Sequence, residues 1–264
     1  MAKTFSAKFD SEQLRDIVTA LSVLVNEATL VFSPEDIKMR AMDPSRVAMV
    51  DFSLPKQDIP EYVCDETQKI CLNLGELLKL LKRAGKDKKG VNDQVQLIST
   101  DSTNTNVKLK VVITGTYTRT FTMPVIEPSQ EEVPTPKITF NVKATMKTSA
   151  LSLAIEDAEI VSDHLKVAAK DSENLLMDAS GDLNAASITI HKDNDGLLEL
   201  LVNNAPQQST YSISYLSEVS KAAQKIAEKV VVEFSSDMPI KLAFQTPKTS
   251  MFLNYYLAPR IETE

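Results

Sequence analysis

Hydrophobic residues recur along this chain with two different periods. Leu14, Ile17, Val18 and Leu21 stand at i, i+3, i+4 and i+7, the spacing of one apolar face of an α-helix. The same spacing returns at Leu151, Ala154, Ile155 and Ala158. Two more helices are predicted, over 73–84, opening Asn73-Leu74-Gly75-Glu76-Leu77-Leu78, and over 212–227, opening Ser212-Ile213-Ser214-Tyr215-Leu216. Most of the rest alternates as strands do. Ile138, Phe140, Val142 and Ala144 share one face, with Thr139, Asn141 and Lys143 on the other. Val107, Leu109 and Val111 alternate with Lys108 and Lys110. Residues 230–234 and 240–244 are short and β-rich.

The pattern reads twice. Thr4-Phe5-x-x-Lys8 recurs as Thr139-Phe140-x-x-Lys143, and Met42-Asp43-x-Ser45 as Met177-Asp178-x-Ser180, both offset by 135 residues. The helical phases between them agree with a two-residue shift, which points to an internal duplication. Each half reads as strand, helix, several strands, helix, several strands. That is an α+β class dominated by antiparallel strands. Between the halves, residues 124–136 hold four prolines and three glutamates, a composition that excludes a helix interior or a central strand. The expected organisation is a first domain over 1–120, an extended acidic connector over 121–136 and a second domain over 137–264.

Composition narrows the function classes. The chain has 264 residues, 43% hydrophobic and 25% charged, enough for two modest domains. No run approaches 18 apolar residues, and the opening MAKTFSAKFD has no apolar stretch of signal length. Cys64 and Cys71 are too few for a disulfide framework. The expected setting is cytoplasmic and reducing. A net charge of −7 argues against coating nucleic acid by bulk attraction, so any contact with it needs a local basic surface.

No catalytic constellation assembles. Gly85-Lys86 is followed by Asp87 rather than Ser or Thr, so there is no P-loop. His164 and His191 stand 27 apart in no metal-binding pattern, and both cysteines read as packing residues. No cofactor, metal or enzymatic activity is expected. An unfamiliar catalytic site and a β-rich scaffold without a nucleic-acid role remain as rivals.

Cations are placed unevenly. Lys79, Lys82, Arg83 and Lys86 fit one face of a helix, followed by Lys88 and Lys89. Lys221, Lys225 and Lys229 fit a stripe at i, i+4, i+8 in the other half, and Arg15 adds one cation on the first helix. A single such stripe is ordinarily a solvated face. Two of them in duplicated positions suit phosphate contact without base reading. The segment around Glu156-Asp157-Ala158-Glu159 is acidic instead. The C-terminal Tyr255-Tyr256-Leu257-Ala258-Pro259-Arg260-Ile261 is apolar, which suits either a docking surface or a last edge strand.

Four segments carry a resemblance. Met39-Arg-Ala-Met-Asp-Pro-Ser-Arg-Val47, Gly115-Thr-Tyr-Thr-Arg-Thr-Phe121, Tyr215-Leu216-Ser217 and Tyr256-Leu-Ala-Pro-Arg-Ile261 resemble, in order and across nearly the whole chain, the sliding clamps of archaea and eukaryotes, the proliferating cell nuclear antigen (PCNA) family. The resemblance implies two similar clamp domains, each with antiparallel sheets outside and two helices inside. It implies a ring of three subunits around duplex DNA, loaded by a clamp loader and used by DNA polymerase, flap endonuclease and DNA ligase. DNA contact would fall on Arg15, Lys79, Lys82, Arg83, Lys86, Lys143, Lys221 and Lys225. A client-peptide pocket would fall on Met42, Val47, Met49, Val133, Pro239, Tyr256, Ala258, Pro259 and Ile261, with Glu131 altering one wall. Subunits would meet through an edge strand near 105–117, with Lys108, Lys110, Val111 and Ile113, and one near 185–192, with Ile188 and Ile190. Glu156 and Asp157 would face Lys82 and Arg83 across that joint. Homotrimer and mixed trimer both remain open.

Overall fold

The computed structural model describes residues 5–86, 89–100, 108–127, 133–134, 136–192, 194–247 and 249–260. Thr4, Asp87, Lys88, Val107, Glu131 and Ile261, named above, lie outside the described residues. The chain divides into two compact units. One is drawn from Met1–Pro44, Val50–Val133 and Thr249–Met251; the other from Ser45–Met49, Pro134–Lys248 and Phe252–Glu264.

The first unit runs β1 (Phe5–Asp10), α1 (Ser11–Leu21), β2 (Glu27–Phe32), β3 (Asp36–Met42), β4 (Ala48–Pro55), β5 (Glu61–Cys64), β6 (Gln68–Asn73), α2 (Leu74–Leu81), β7 (Gln94–Thr100), β8 (Lys108–Thr114) and β9 (Thr118–Pro124). Its strands lie in the orders β5-β1-β7-β8-β9 and β4-β3-β2-β6. Alternation drives this arrangement. Phe5, Ala7 and Phe9 of β1 are buried, as are Leu109, Val111 and Ile113 of β8. The rings of Phe5 and Phe32 stack with centroids 3.9 Å apart, joining β1 to β2 through the core.

The second unit runs β10 (Val142–Lys147), α3 (Thr148–Glu159), β11 (His164–Ala169), β12 (Asn174–Ser180), β13 (Ala185–His191), β14 (Leu197–Val202), β15 (Gln207–Ser212), α4 (Ile213–Ala223), β16 (Lys229–Phe234), β17 (Ile240–Gln245) and β18 (Phe252–Leu257). Its orders are β14-β10-β16-β17-β18 and β13-β12-β11-β15. Each strand of the first unit thus has its counterpart nine strands later, in the same neighbourhood. The duplication is real, and all strand pairs with a described register are antiparallel.

The letters that suggested it are out of register. Helices α1 and α3 open at Ser11 and Thr148, so Phe5 corresponds to Val142, not Phe140. Strands β3 and β12 open at Asp36 and Asn174, so Met39 corresponds to Met177 and both are buried, whereas Met42 corresponds to Ser180. Residues 136–140 form no strand, so Ile138 and Phe140 precede β10 instead of opening it.

The helices start and stop for local reasons. Asp10 caps α1, its Oδ1 accepting from the amides of Glu12 (2.9 Å) and Gln13 (3.2 Å). Asn73 caps α2 by accepting from Glu76 N at 2.9 Å. Lys147 and Ser212 precede α3 and α4 with no side-chain cap bond. Each helix buries one stripe, and α1 packs on α2 as α3 packs on α4.

Candidate functional site

Helix α2 ends at Leu81 and α4 at Ala223, earlier than their patterns suggest. This breaks both basic stripes. Lys79 and Lys221 are on helices, Lys82 is the cap residue of α2, and Lys86 sits in a bridge with Asn92. Lys225 lies in the turn after α4, and Lys229 opens β16. The cations still cluster at the helix ends, but through the turns that follow and not along one helical face.

In the first unit several of these cations already have carboxylate partners. Lys79 Nζ is 2.7 Å from Glu76 Oε1, Lys86 Nζ is 3.1 Å from Glu12 Oε2, and Arg15 lies 3.7 Å from Glu12 and 3.8 Å from Asp16. Hydrogen bonds from Lys86 and then Asn92 hold the Glu12 carboxyl below the usual glutamate range. The Lys79 and Lys86 pairs have exposed lysines and the Arg15 pairs are half-buried, so the lysine pairs are weak and open to exchange for a phosphate. Lys82 and Arg83 extend from the end of α2 and are exposed.

In the second unit, Lys221 Nζ lies 3.2 Å from Glu159 Oε2, and Ser217 Oγ donates to the same oxygen at 3.0 Å. The acidic helix α3 is therefore answered in part by α4 of its own unit. Glu156 and Asp157 remain exposed. Lys143 is not with the helices. It is exposed on β10, on the face opposite the buried Val142, Ala144 and Met146.

The second unit also exposes an apolar surface near its last strand. Val47 is 38% exposed, and its carbonyl accepts from Ala258 N at 2.8 Å. Met238 is exposed beside half-buried Pro239, and Tyr256, Ala258 and Pro259 are half-buried. Two turn residues with positive φ, Arg46 and Asp237, carry Val47 and Met238 outward. Tyr211 Oη anchors the second turn by donating to Met238 O at 2.8 Å. Met49, expected on the same surface, is buried. In the first unit Met42 is exposed, and the Val133 carbonyl accepts from Arg40 Nη1 at 3.4 Å. Arg40 is itself fixed by Asp51 through Nε and Nη2, both at 3.1 Å.

The expected edge strand near 105–117 needs correction. Strand β8 has β7 on one side and β9 on the other, and Val111 and Ile113 are buried at its centre. Lys108 and Lys110 lie on its exposed face. The edge is β9, one hairpin later, with Arg119, Phe121 and Met123 turned inward. Alternating Lys108 and Lys110 signal a one-sided strand, not an unpaired one. Strand β13 is an edge, as expected: it pairs with β12 alone in its sheet, and Ile188 and Ile190 are half-buried. On α3, which packs near β13, Leu153 is 61% exposed, and Ile160, the residue that caps its C-terminus, is 83% exposed, with Asp157 between them. Their i, i+7 spacing places them on one face.

Among the described residues no group of three or more His, Cys, Asp or Glu could hold a metal. His191 Nδ1 lies 2.6 Å from Asn174 Oδ1, and Cys64 and Cys71 are buried and free. No helix among them is long and apolar enough to cross a membrane.

Comparison with known proteins covers both units. The sequence model of the proliferating cell nuclear antigen N-terminal domain matches residues 4–123, and that of the C-terminal domain matches residues 135–261. The chain is 34% identical over 259 residues to DNA polymerase sliding clamp 1 of Thermococcus kodakarensis, covering 98% of this chain and 99% of that protein. It resembles A. fulgidus PCNA bound to the C-terminal region of FEN-1, with a TM-score of 0.84 and 27% identity, covering 98% of this chain and all of that one. It also resembles a chain of the PCNA2-PCNA3 complex of Sulfolobus tokodaii, with a TM-score of 0.83 and 29% identity, covering 97% of this chain and all of that one.

Proposed function

We infer that this chain, which belongs to the proliferating cell nuclear antigen family of DNA polymerase sliding clamps, is a subunit of a ring that encircles duplex DNA and recruits replication and repair enzymes to it. The observation that carries this reading is the match of both family domains, in order, to the two duplicated units. The protein is a non-catalytic processivity factor. Its work is to hold, not to transform.

The charge distribution supports a hold by enclosure. The chain carries a net −7, yet Lys79, Lys82, Arg83 and Lys86 gather around the end of α2, and Lys221 and Lys225 around the end of α4. Contacts from such cations to phosphates are sequence-blind and salt-sensitive. Weak contacts of this kind permit sliding, while a closed ring prevents escape. Opening requires a separate ATP-driven loader. Arg15 is a further candidate contact, and Lys143, a strand residue, is the weakest.

Closure is proposed to join copies head to tail, the edge β9 of one against the edge β13 of the next, a heterologous contact that closes. Unpaired edges of this kind invite such addition. Lys82 and Arg83 beside β9 and Asp157 beside β13 have complementary charge, and Leu153 and Ile160 supply apolar area. Client peptides are proposed to dock on Val47, Met238, Pro239, Tyr256, Ala258 and Pro259, with Met42 and Val133 as candidates in the first unit. Burying each aliphatic or aromatic anchor there contributes roughly 1.5–3 kcal/mol before ordering costs, which suits exchangeable partners. DNA polymerase, flap endonuclease and DNA ligase are the proposed clients, acting with duplex DNA in the cytoplasm.

The deciding experiment combines mass and topology. Light scattering of the isolated chain is expected to give three times 29.2 kDa. A stable monomer would instead favour a mixed ring, the reading that the similarity to the PCNA2-PCNA3 complex keeps alive. After loading, the protein should stay on closed circular DNA and leave when the circle is cut. Equal retention on cut and closed DNA would refute encirclement.

A further inference from the structure

Among the described residues, edge strand β9 pairs with β8 alone, yet its half-buried Arg119 is tied to a buried carboxylate. Arg119 turns inward, and its Nη2 lies 2.7 Å from Asp93 Oδ2. Its Nη1 donates to the carbonyl of Arg83, in the turn after α2. Asp93 is buried and gathers more contacts than this pair. Its Oδ2 accepts from Gly85 N at 3.0 Å, its amide donates to Gly85 O at 2.9 Å, and its carbonyl accepts from Ser11 N at 3.0 Å, where α1 begins. The guanidinium also lies 5.0 Å from the centre of the Tyr117 ring.

The turn before β9 is shaped to admit this pair. A Cβ at Gly115 would fall 1.9 Å from Asp93 Oδ1, so glycine is required for close approach and not for its backbone angles. An ion pair with one buried and one half-buried partner offers little net stability over apolar packing, because desolvation offsets attraction. What it offers is a fixed geometry, here between an edge strand, the turn carrying Arg83, and the start of α1.

We propose that Asp93 and Arg119 are positioning residues for ring closure, locking the edge strand β9 and the basic turn of Lys82 and Arg83 into one body, so that the backbone edge and its flanking cations reach the next copy together. The proposal rests on the reading that β9 closes the ring. Asp93→Asn keeps the shape and removes the charge. Arg119→Lys keeps the charge and loses the fork that reaches Arg83. Gly115→Ala pushes Asp93 from its place without changing any charge.

All three variants are measured in the full chain. Trimer dissociation, followed by light scattering on dilution, is expected to be favoured about tenfold or more in Asp93→Asn and Gly115→Ala, and less in Arg119→Lys. Hydrogen exchange in the monomer at high dilution is expected to speed up in β9 and in residues 82–86, with β1, β5 and the second unit unchanged. An Asp93→Asn trimer that dissociates like the original overturns the proposal, as does exchange that rises evenly through the whole first unit. Should Asp93→Asn fail to fold, Arg119→Lys and Gly115→Ala carry the same test. An unaltered chain that never exceeds monomer mass would instead count against self-closure through β9, a failure separable from this one.

Discussion

Lys221 of α4 reaches Glu159 at the end of α3, 3.2 Å between Nζ and Oε2, so this helix-borne lysine proposed to meet DNA is, like Lys79 with Glu76, already partnered by its own unit. Glu159→Gln should release it. Affinity for linear duplex should rise, and the slope of log K against log salt should steepen by about 0.9, one extra phosphate contact. The Glu159 carboxyl titrates below the ordinary range, first through the hydrogen bond from Lys221 and then through that from Ser217. A lowered carboxyl pKa means that the pair's contribution is complete above the unfolded value of about 4.3 and disappears as pH falls through the lower folded value. The variant's advantage should therefore be constant near neutral pH and shrink at the acid end. Titration of duplex binding against salt, repeated at two pH values, checks both statements.

Arg40 and Asp51 form a forked pair between β3 and β4, and the same guanidinium holds the Val133 carbonyl. Asp51→Asn leaves a part-buried cation with an incomplete set of acceptors, which costs about 1–3 kcal/mol. Arg40→Lys cannot fork and should cost a similar amount. The urea midpoint should fall in both with the slope unchanged.

Much of this fold was legible because two periods dominate the chain. Leu14, Ile17, Val18 and Leu21 marked α1, and residues 230–234 and 240–244 marked β16 and β17. Helix ends were harder. Lys82 through Lys86 continue a helical spacing, but the chain leaves the helix after Leu81 and Asp93 draws the following turn toward itself. Spacing alone registers neither the stop nor a partner many residues away. Edge and centre were also confused at β8, since Lys108 and Lys110 alternate with buried residues whether or not a neighbour lies alongside. The repeated letters around Met42 and Met177 misplace the duplication by three residues, because the methionines that correspond in the two units are the buried Met39 and Met177. Arg119 lies in the segment 115–121 that carries the resemblance, but nothing in its letters links it to Asp93.

The two units differ at their helix caps, and most sharply before α1 and α3. Asp10 satisfies two amides of α1 and also accepts from Asn92 Nδ2 at 2.9 Å, whereas its counterpart Lys147 places a cation before α3 with no cap bond. Asp10→Ala should destabilise the first unit by about 1–2 kcal/mol. Lys147→Asp should stabilise the second by about 0.5–1 kcal/mol, adding a cap and an anion at the positive end of the helix. Denaturant unfolding of each variant provides the comparison, and an unstabilised Lys147→Asp would show that the backbone there cannot present a cap.

Tyr256 separates docking from exposure. It is half-buried on β18, within the surface that also holds Val47, Met238, Pro239 and Ala258. Leu183 is 96% exposed at the tip between β12 and β13, flanked by exposed Asp182 and Asn184. A peptide gains from apolar anchors only where several walls exclude water together, so exposure alone confers no affinity. Tyr256→Ala should weaken binding of a short peptide carrying one aliphatic and two aromatic anchors by about tenfold or more, whereas Leu183→Ser should leave it unchanged. Calorimetry with that peptide gives both values, and trimer mass and retention on circular DNA should match the unaltered protein in each case. Equal affinities in the two variants would remove the client surface from β18 and leave the ring reading intact, because closure and enclosure depend on other residues.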